Sequence, residues 1–151
     1  MINFKNFQEK AISELVATTL NLLNRNEKNA ISVFQSPTGS GKTLMMGQFM
    51  KELIKEDPFM DLCFLWVSIG KGELHVQSKN KLEKFFQGAP SCSLIEQEFT
   101  GHRTEIDKNE VVFVNWEKIR NKDKKTGTWS NVIMKEGEKT SFPQVLANTR
   151  K

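Results

Sequence analysis

The chain has 151 residues, of which 38% are hydrophobic and 26% charged, and its formal net charge is +4. This length suits one compact domain, and no stretch approaches the roughly 18 apolar residues of a membrane-spanning helix. These values exclude an integral membrane protein, so we expect a cytoplasmic location and no membrane partner. A charge of +4 is compatible with a polyanionic partner but is too modest to indicate one alone.

The first third of the chain is predicted to form helix, strand, loop and helix. Apolar residues recur at three- and four-residue steps over residues 7–23, which predicts an amphipathic helix. The β-branched and aromatic run AISVFQ, residues 30–35, predicts a short buried strand. A second helix carries apolar residues over 46–54, and Pro58 marks its end because proline cannot continue a helix.

The rest of the chain alternates between strands and helices. Strands are predicted at residues 61–68, near Leu94 and at residues 111–116, with a strand-like stretch at residues 129–134. Helices are predicted at residues 74–86 and 143–148. This alternation predicts an α/β protein whose parallel sheet has helices on both faces.

Between the first predicted strand and the second helix lies a glycine-rich loop. A loop in that place can aim several backbone N–H groups at one anion, and the helix N-terminus adds partial positive charge. The candidate nucleotide-binding residues, which read SPTGSGKT, are Ser36, Pro37, Thr38, Gly39, Ser40, Gly41, Lys42 and Thr43. The sequence therefore predicts a site for a nucleoside triphosphate.

Individual residues of this loop suit phosphate chemistry. Gly39 and Gly41 permit backbone angles and a close approach that a side chain would block. Lys42 can neutralise the β- and γ-phosphates, and the Thr43 hydroxyl can take one position around Mg²⁺, so both are candidate catalytic residues. The pattern G-x-x-x-x-G-K-[ST] would place glycine where this chain has Ser36, but the TGSGKT core is intact.

Three blocks of sequence carry a family resemblance. Phe7-Gln8 on a helix, then a strand, then SPTGSGKT, resembles the start of a superfamily-two helicase motor domain of the DEAD/DEAH-box type. The segment LWVSIGKGELHVQSKNKLEKFF resembles a later helicase block, and VVFVNWEKI resembles the next. The ending Asn115-Trp116-Glu117-Lys118 is particularly similar to the Res subunits of type III restriction enzymes.

This resemblance implies a P-loop NTPase fold of the RecA-like kind, with ATP and Mg²⁺ as cofactors. It implies an ATP-dependent helicase or translocase of a restriction enzyme, which couples ATP hydrolysis to movement on DNA. It also implies that Gln8 reads the adenine edge, since an amide offers one donor and one acceptor. A methyltransferase (modification) subunit is the implied protein partner.

The resemblance further implies contacts with DNA from the loops after two strands. Contacts to phosphates and sugars suit movement that is independent of sequence, because these groups carry no base identity. The candidate nucleic-acid residues are Ser68, Lys71, Gln77, Asn115 and Trp116. His75 and His102 have no predicted carboxylate or nucleophile beside them, so neither is interpreted as catalytic.

One part of the family's machinery is absent from the sequence. Hydrolysis in the resembled family uses a strand that ends in Asp-Glu, and the apolar runs FLWVS and VVFVN end without acids. We therefore expect residues 1–151 to be the N-terminal part of the first motor domain, with unpaired strand edges and exposed apolar surface. We also expect weak nucleotide binding and negligible hydrolysis by the chain alone.

Two other functions stay open at this point. A small P-loop kinase usually begins with the strand of the phosphate loop and has an arginine-rich lid. This chain has a long helix first and few arginines. A non-catalytic module that binds nucleotide or nucleic acid is favoured by the missing acids.

Overall fold

The structure is a computed structural model, which describes residues 3–25, 29–70, 72–98, 103–119, 121–122, 129–130 and 142–149. The chain divides into two compact units, Met1–Met60 and Asp61–Lys151. None of the helices within these described ranges is both long and apolar enough to cross a membrane.

The first unit contains two helices that pack against each other, α1 (Asn6–Asn24) and α2 (Lys42–Glu56). Their buried side chains follow helical spacing, as the periodicity predicted, and are Ile12, Val16, Met45, Phe49, Met50 and Leu53. The last turn of α2 closes with a hydrogen bond from the N–H of Asp57 to the carbonyl of Leu53, and Pro58 follows. Both predicted helices of this part of the chain are confirmed.

The strand predicted at residues 30–35 is wrong: this segment forms no strand. Ile31 is 85% exposed and Val33 is 84% exposed, so the segment is not buried either. A strand is held by hydrogen bonds to a neighbouring strand, and β-branched residues favour it only where they pack on such a neighbour. No described strand pairs with residues 30–35. Their β propensity alone is therefore not enough to form a strand.

The second unit contains a parallel sheet of three strands. These are β1 (Phe64–Ser68), β2 (Ser91–Leu94) and β3 (Glu110–Asn115), in the spatial order β1-β3-β2. The register places Ser68 opposite Asn115, so β1 and β3 end at the same level. The helix α3 (Leu74–Phe86) connects β1 to β2 and packs against the sheet. The predicted parallel α/β arrangement is confirmed.

The central strand β3 is the core of this unit. Its residues 111–114 are fully buried, and because side chains of a strand alternate, both faces of the sheet are covered there. One face meets the short helix α4 (Ile95–Glu98) and the helix α6 (Phe142–Thr149). The residues of that cluster are Ile95, Ile106, Val112, Val114, Phe142 and Val145. The predicted helix at residues 143–148 is therefore confirmed.

Smaller elements follow β3. The helix α5 (Trp116–Ile119) begins directly after the strand, and β4 (Asn121–Lys122) pairs antiparallel with β5 (Trp129–Ser130). The strand-like stretch predicted at residues 129–134 is thus a strand at its first two residues, and residues 131–134 lie outside the described residues. Leu65 and Val67 of the edge strand β1 are 39% and 44% exposed.

A buried carboxylate fixes the start of β3. Glu110 is 1% exposed and accepts hydrogen bonds from the Ser93 hydroxyl of β2, from the Arg103 guanidinium and from the N–H of Asp107. Charge-assisted hydrogen bonds of this kind compensate the cost of removing a carboxylate from water. Burial and then the charge of Glu110 raise the pKa of the Cys63 thiol. The network joins β2, β3 and the segment that leads into β3.

The substitution Glu110→Ala removes the acceptor of the Ser93 hydroxyl, of the Asp107 N–H and of one bond from the Arg103 guanidinium, which keeps its bond to Asp107. We expect the free energy of unfolding to fall by about 2–3 kcal/mol, because the buried charged acceptor of three hydrogen bonds is lost. Urea denaturation measures it. The exposed Glu105, in the same segment, provides the control: Glu105→Ala changes stability by about 0.5 kcal/mol or less. Equal urea midpoints for the two variants would contradict this role of Glu110.

Candidate functional site

The glycine-rich loop ends at the first residue of α2. Gly39 and Gly41 have φ angles of 81° and 84°, a left-handed conformation that glycine adopts without steric cost. Gly41 is the N-cap of α2, and its carbonyl accepts hydrogen bonds from the N–H groups of Leu44 and Met45 at 2.9 and 3.0 Å. The N–H groups of Lys42 and Thr43, the first two residues of α2, precede these bonds and have no carbonyl of the helix to bond to, so they are available to an anion.

The ammonium group of Lys42 lies against its own loop. Its Nζ donates hydrogen bonds to the carbonyls of Ser36 and Pro37 at 2.7 and 2.8 Å. The hydroxyls of Ser36 and Ser40 are hydrogen-bonded to each other at 2.5 Å, across the base of the loop. The bonds of Lys42 keep its exposed positive charge at the loop beside the helix N-terminus, where a phosphate chain gains from both.

Gln8 joins α1 to the loop. Its side-chain Nε2 donates a hydrogen bond to the carbonyl of Ser40 at 2.8 Å, and its Oε1 accepts one from the N–H of Lys5 at 2.8 Å. A Cβ atom at Gly41 would lie 3.2 Å from Gln8 Nε2, so glycine also gives the amide room. The structure thus brings the predicted residue Gln8 to the loop, and its reading of adenine stays a prediction.

The residues present fit a triphosphate and Mg²⁺. Two left-handed glycines, an exposed lysine bonded to two carbonyls of the loop and the start of a 15-residue helix form a cradle of donors. Thr43 lies in the first turn of α2 and is partly buried, beside the lysine. Pro37, Thr38 and Gly39 form the exposed outer part of the loop. Bound Mg²⁺ would supply charge neutralisation for the phosphates, with the Thr43 hydroxyl as its protein ligand.

The predicted nucleic-acid residues lie in the second unit, and the structure brings three of them together. Ser68 ends β1, Asn115 ends β3 opposite it, and Trp116 follows as the first residue of α5. Trp116 is 45% exposed, whereas Asn115 is 3% exposed. Gln77 is exposed in the first part of α3. Lys71 lies outside the described residues. Contact of these residues with DNA stays a prediction.

The sequence interpretation missed two buried polar contacts. His75 is fully buried, and its Nε2 lies 2.7 Å from Oε1 of Glu96, so the view that His75 has no carboxylate beside it is wrong. The pair links α3 to α4 across 21 residues of sequence, a distance at which no local pattern signals contact. Asn115 bonds to the carbonyls of Gly70 and Gly72. Like His75, His102 was interpreted as non-catalytic, and it lies outside the described residues.

The fold and the loop together define a class of protein. The first unit carries the T-G-S-G-K-T loop at the start of a helix, and the second unit contains a parallel sheet with helices; both features are typical of P-loop nucleotide-binding proteins, although no strand is described directly before the loop. A family model described as "Type III restriction enzyme, res subunit" matches residues 1–145, so the chain belongs to this family, which has a P-loop helicase fold. Searches of curated proteins and of solved structures gave no match.

The bond between Gln8 and Ser40 predicts a specific effect of Gln8→Glu. A glutamate can still accept from the N–H of Lys5, but it cannot donate to the carbonyl of Ser40. We expect the affinity for ATP and for GTP to fall by about fivefold each, because losing one hydrogen bond of about 1 kcal/mol loosens the loop whatever the base.

Titration of both nucleotides by calorimetry measures this effect. An additional loss for ATP alone would show that Gln8 also reads adenine. The substitution Asn6→Asp at the exposed first residue of α1 adds the same negative charge and is the control. An unchanged affinity for GTP in Gln8→Glu would contradict the role of Gln8 in holding the loop.

Proposed function

We propose that this chain supplies the ATP-binding part of a DNA-translocating motor in a type III restriction system. Membership of the Res-subunit family supports a helicase-like, ATP-dependent motor of restriction enzymes. The observation that carries the finer proposal is the loop at residues 36–43, in which Lys42 is held on two carbonyls at the start of α2. A motor of this class needs a fixed triphosphate site before any movement can be coupled to hydrolysis.

The roles of the loop residues follow from their places. The backbone N–H groups around Gly39 and Gly41 bind the phosphates, and the ammonium of Lys42 neutralises the charge that develops on them. The hydroxyl of Thr43 holds Mg²⁺. Gln8 keeps the loop in this shape through the carbonyl of Ser40. In this proposal Lys42 and Thr43 are the catalytic residues of the chain.

DNA is the proposed macromolecular partner. The carboxyl edge of the sheet in the second unit carries Ser68 and the exposed Trp116, which offer a hydroxyl and an aromatic surface. Hydroxyl and backbone donors recognise phosphates, and an indole stacks on any base, so neither group selects a sequence. This chemistry supports a motor that moves along DNA rather than one that reads a site. A modification subunit with methyltransferase activity is the proposed protein partner.

A second candidate, a nucleotide-binding module without hydrolysis, is favoured by one observation. The three strands of the described parallel sheet end in Ser68, Leu94 and Asn115, none of which is acidic. None of these three residues has a carboxylate, which hydrolysis would use to help hold the Mg²⁺ or to orient the attacking water. The described part of the chain therefore has residues suited to binding ATP, while its sheet presents no pair of acids for hydrolysis at the strand ends.

The substitution Lys42→Ala tests nucleotide binding. It removes the positive charge from the loop, and we expect the affinity for ATP with Mg²⁺ to fall by at least about a hundredfold, since charge-assisted bonds to phosphate are worth about 1.5–3 kcal/mol each. Lys55, in the last turn of the same helix, provides the matched control. Calorimetric titration of both variants decides the matter: an equal affinity in Lys42→Ala and Lys55→Ala would reject the site.

Steady-state hydrolysis separates the two candidates. We expect the purified chain to turn over ATP no faster than its Lys42→Ala variant, because the described sheet presents no Asp-Glu pair. Release of phosphate, followed with and without duplex DNA, measures this. A turnover above about 1 s⁻¹ would lie within the range of ordinary enzymes. If this turnover also disappears in Lys42→Ala, the chain is an ATPase, and the proposal that it lacks the acids for hydrolysis is rejected.

A further inference from the structure

The side chain of Asn115 makes three hydrogen bonds at the end of β3. Its Nδ2 donates to the carbonyl of Gly70 at 3.2 Å and to the carbonyl of Gly72 at 3.0 Å. Its Oδ1 accepts from the N–H of Glu117 at 2.8 Å. One amide side chain thus connects the segment after β1 with the first turn of α5, across 43–45 residues of sequence.

The two glycines explain how their carbonyls reach one amide. Gly70 and Gly72 have φ angles of 107° and 122°, which residues with a side chain rarely adopt. A Cβ atom at either position would meet nothing within 4 Å, so it is the backbone angle and not the room that requires glycine there. The path of the chain after β1 is therefore built around the bonds to Asn115.

Burial argues against a direct contact between Asn115 and DNA. The residue is 3% exposed, and both hydrogens of its Nδ2 point at carbonyls, so its donors are not available to a phosphate. Breaking these bonds to contact DNA would leave two carbonyls without their partner, at a cost similar to the gain. The direct contact that the sequence predicted for Asn115 is therefore disfavoured by the geometry.

We propose that Asn115 is a positioning residue, which fixes the backbone at Gly70 and Gly72 relative to Trp116 and so shapes the DNA-binding edge of the sheet. This inference rests on the proposed DNA-binding function. Ile69 and Trp116, 73% and 45% exposed, flank the bonds of Asn115, so the amide lies under the surface that a nucleic acid would meet. Fixing that surface before binding lowers the entropy that association must overcome.

Two substitutions separate the bonds of Asn115. Asn115→Ser keeps an oxygen that can cap the N–H of Glu117, since serine caps a helix as well as asparagine does, but loses both donors. Asn115→Ala loses all three bonds. Gly72→Ala weakens the same contact by changing the acceptor residue, because a φ of 122° is strained for alanine. Asn148→Ser removes another bond from an asparagine to a carbonyl, that of Thr104, elsewhere in the unit and serves as the matched control.

Backbone ¹⁵N NMR relaxation tests the positioning role without any ligand, because the bonds of Asn115 hold the carbonyls of Gly70 and Gly72. We expect the order parameter of the Gly70 amide to fall below about 0.6, the range of a flexible backbone, in Asn115→Ser and in Gly72→Ala, and to be unchanged in Asn148→Ser. Hydrogen exchange of the Glu117 amide rises in Asn115→Ala, which removes the acceptor of this N–H, and is restored in Asn115→Ser. An order parameter of Gly70 that stays at the wild-type value in Asn115→Ser would overturn the inference.

A binding assay tests whether Asn115 affects the affinity for DNA. The probe is a fluorescein-labelled oligonucleotide of mixed sequence, used as a single strand and as a duplex. We expect both Asn115→Ser and Gly72→Ala to bind about fivefold more weakly than wild type at fixed salt, with Asn148→Ser unchanged. Val145→Ala, which weakens the core away from the edge, keeps wild-type affinity below its unfolding temperature. This result distinguishes positioning from a general loss of stability.

The remaining outcomes are also decisive. A lower order parameter at Gly70 with unchanged DNA affinity would overturn the link between Asn115 and binding. An affinity loss of the same size in Val145→Ala would overturn it as well. If the wild-type chain binds neither form of the oligonucleotide, the proposed DNA-binding function fails. The NMR and exchange data still decide whether the bonds of Asn115 fix the backbone at Gly70 and Gly72.

Discussion

Parallel pairing of β3 with both of its neighbours is the constraint on which the second unit depends. The carboxyl ends of parallel strands lie at the same edge of the sheet. Strand pairing therefore places the last residue of each strand at that edge. The register puts the ends of β1 and β3 at one level, whereas β2 stops two residues earlier, with Leu94 opposite Phe113. The chain therefore leaves β2 as α4 below the edge, and the edge itself is formed by the loops after β1 and β3.

In the first unit the corresponding constraint is the backbone of the loop rather than a sheet. The carbonyls of Ser36, Pro37 and Ser40 accept hydrogen bonds from the side chains of Lys42 and Gln8. Side chains thus hold the main chain, and the main chain in turn presents its N–H groups at the start of α2. The site is shaped by few contacts within 60 residues, and its geometry does not require a sheet strand at residues 30–35.

The parts of the fold that follow from local pattern could be predicted from the sequence. The apolar spacing of α1, α2 and α3 and the continuous runs of β1 and β3 identify these elements because each buries its own regular face. The glycine loop is likewise a local signal. The segment 30–35 shows the limit: its composition favours a strand, but pairing depends on a partner that composition does not reveal.

Contacts between distant residues could not be predicted in the same way. Gln8 meets Ser40 across 32 residues, His75 meets Glu96 across 21, and Asn115 meets Gly72 across 43. Each is a polar side chain whose partner is fixed by packing and not by spacing in sequence. The sequence pointed to Asn115 through a family resemblance, but only the bond lengths and the burial distinguish a group that touches DNA from one that supports its neighbours.

The exposed segment at residues 30–35 has a practical consequence. Ile31 and Val33 lie on either side of Ser32 and are exposed, so an extended chain here would offer backbone donors and acceptors together with two apolar side chains on one face. Such a stretch is a template on which a second molecule can add a strand, and it carries no lysine or proline to oppose this. At high concentration, intermolecular β-sheet seeded at this segment is the route by which the protein would come out of solution.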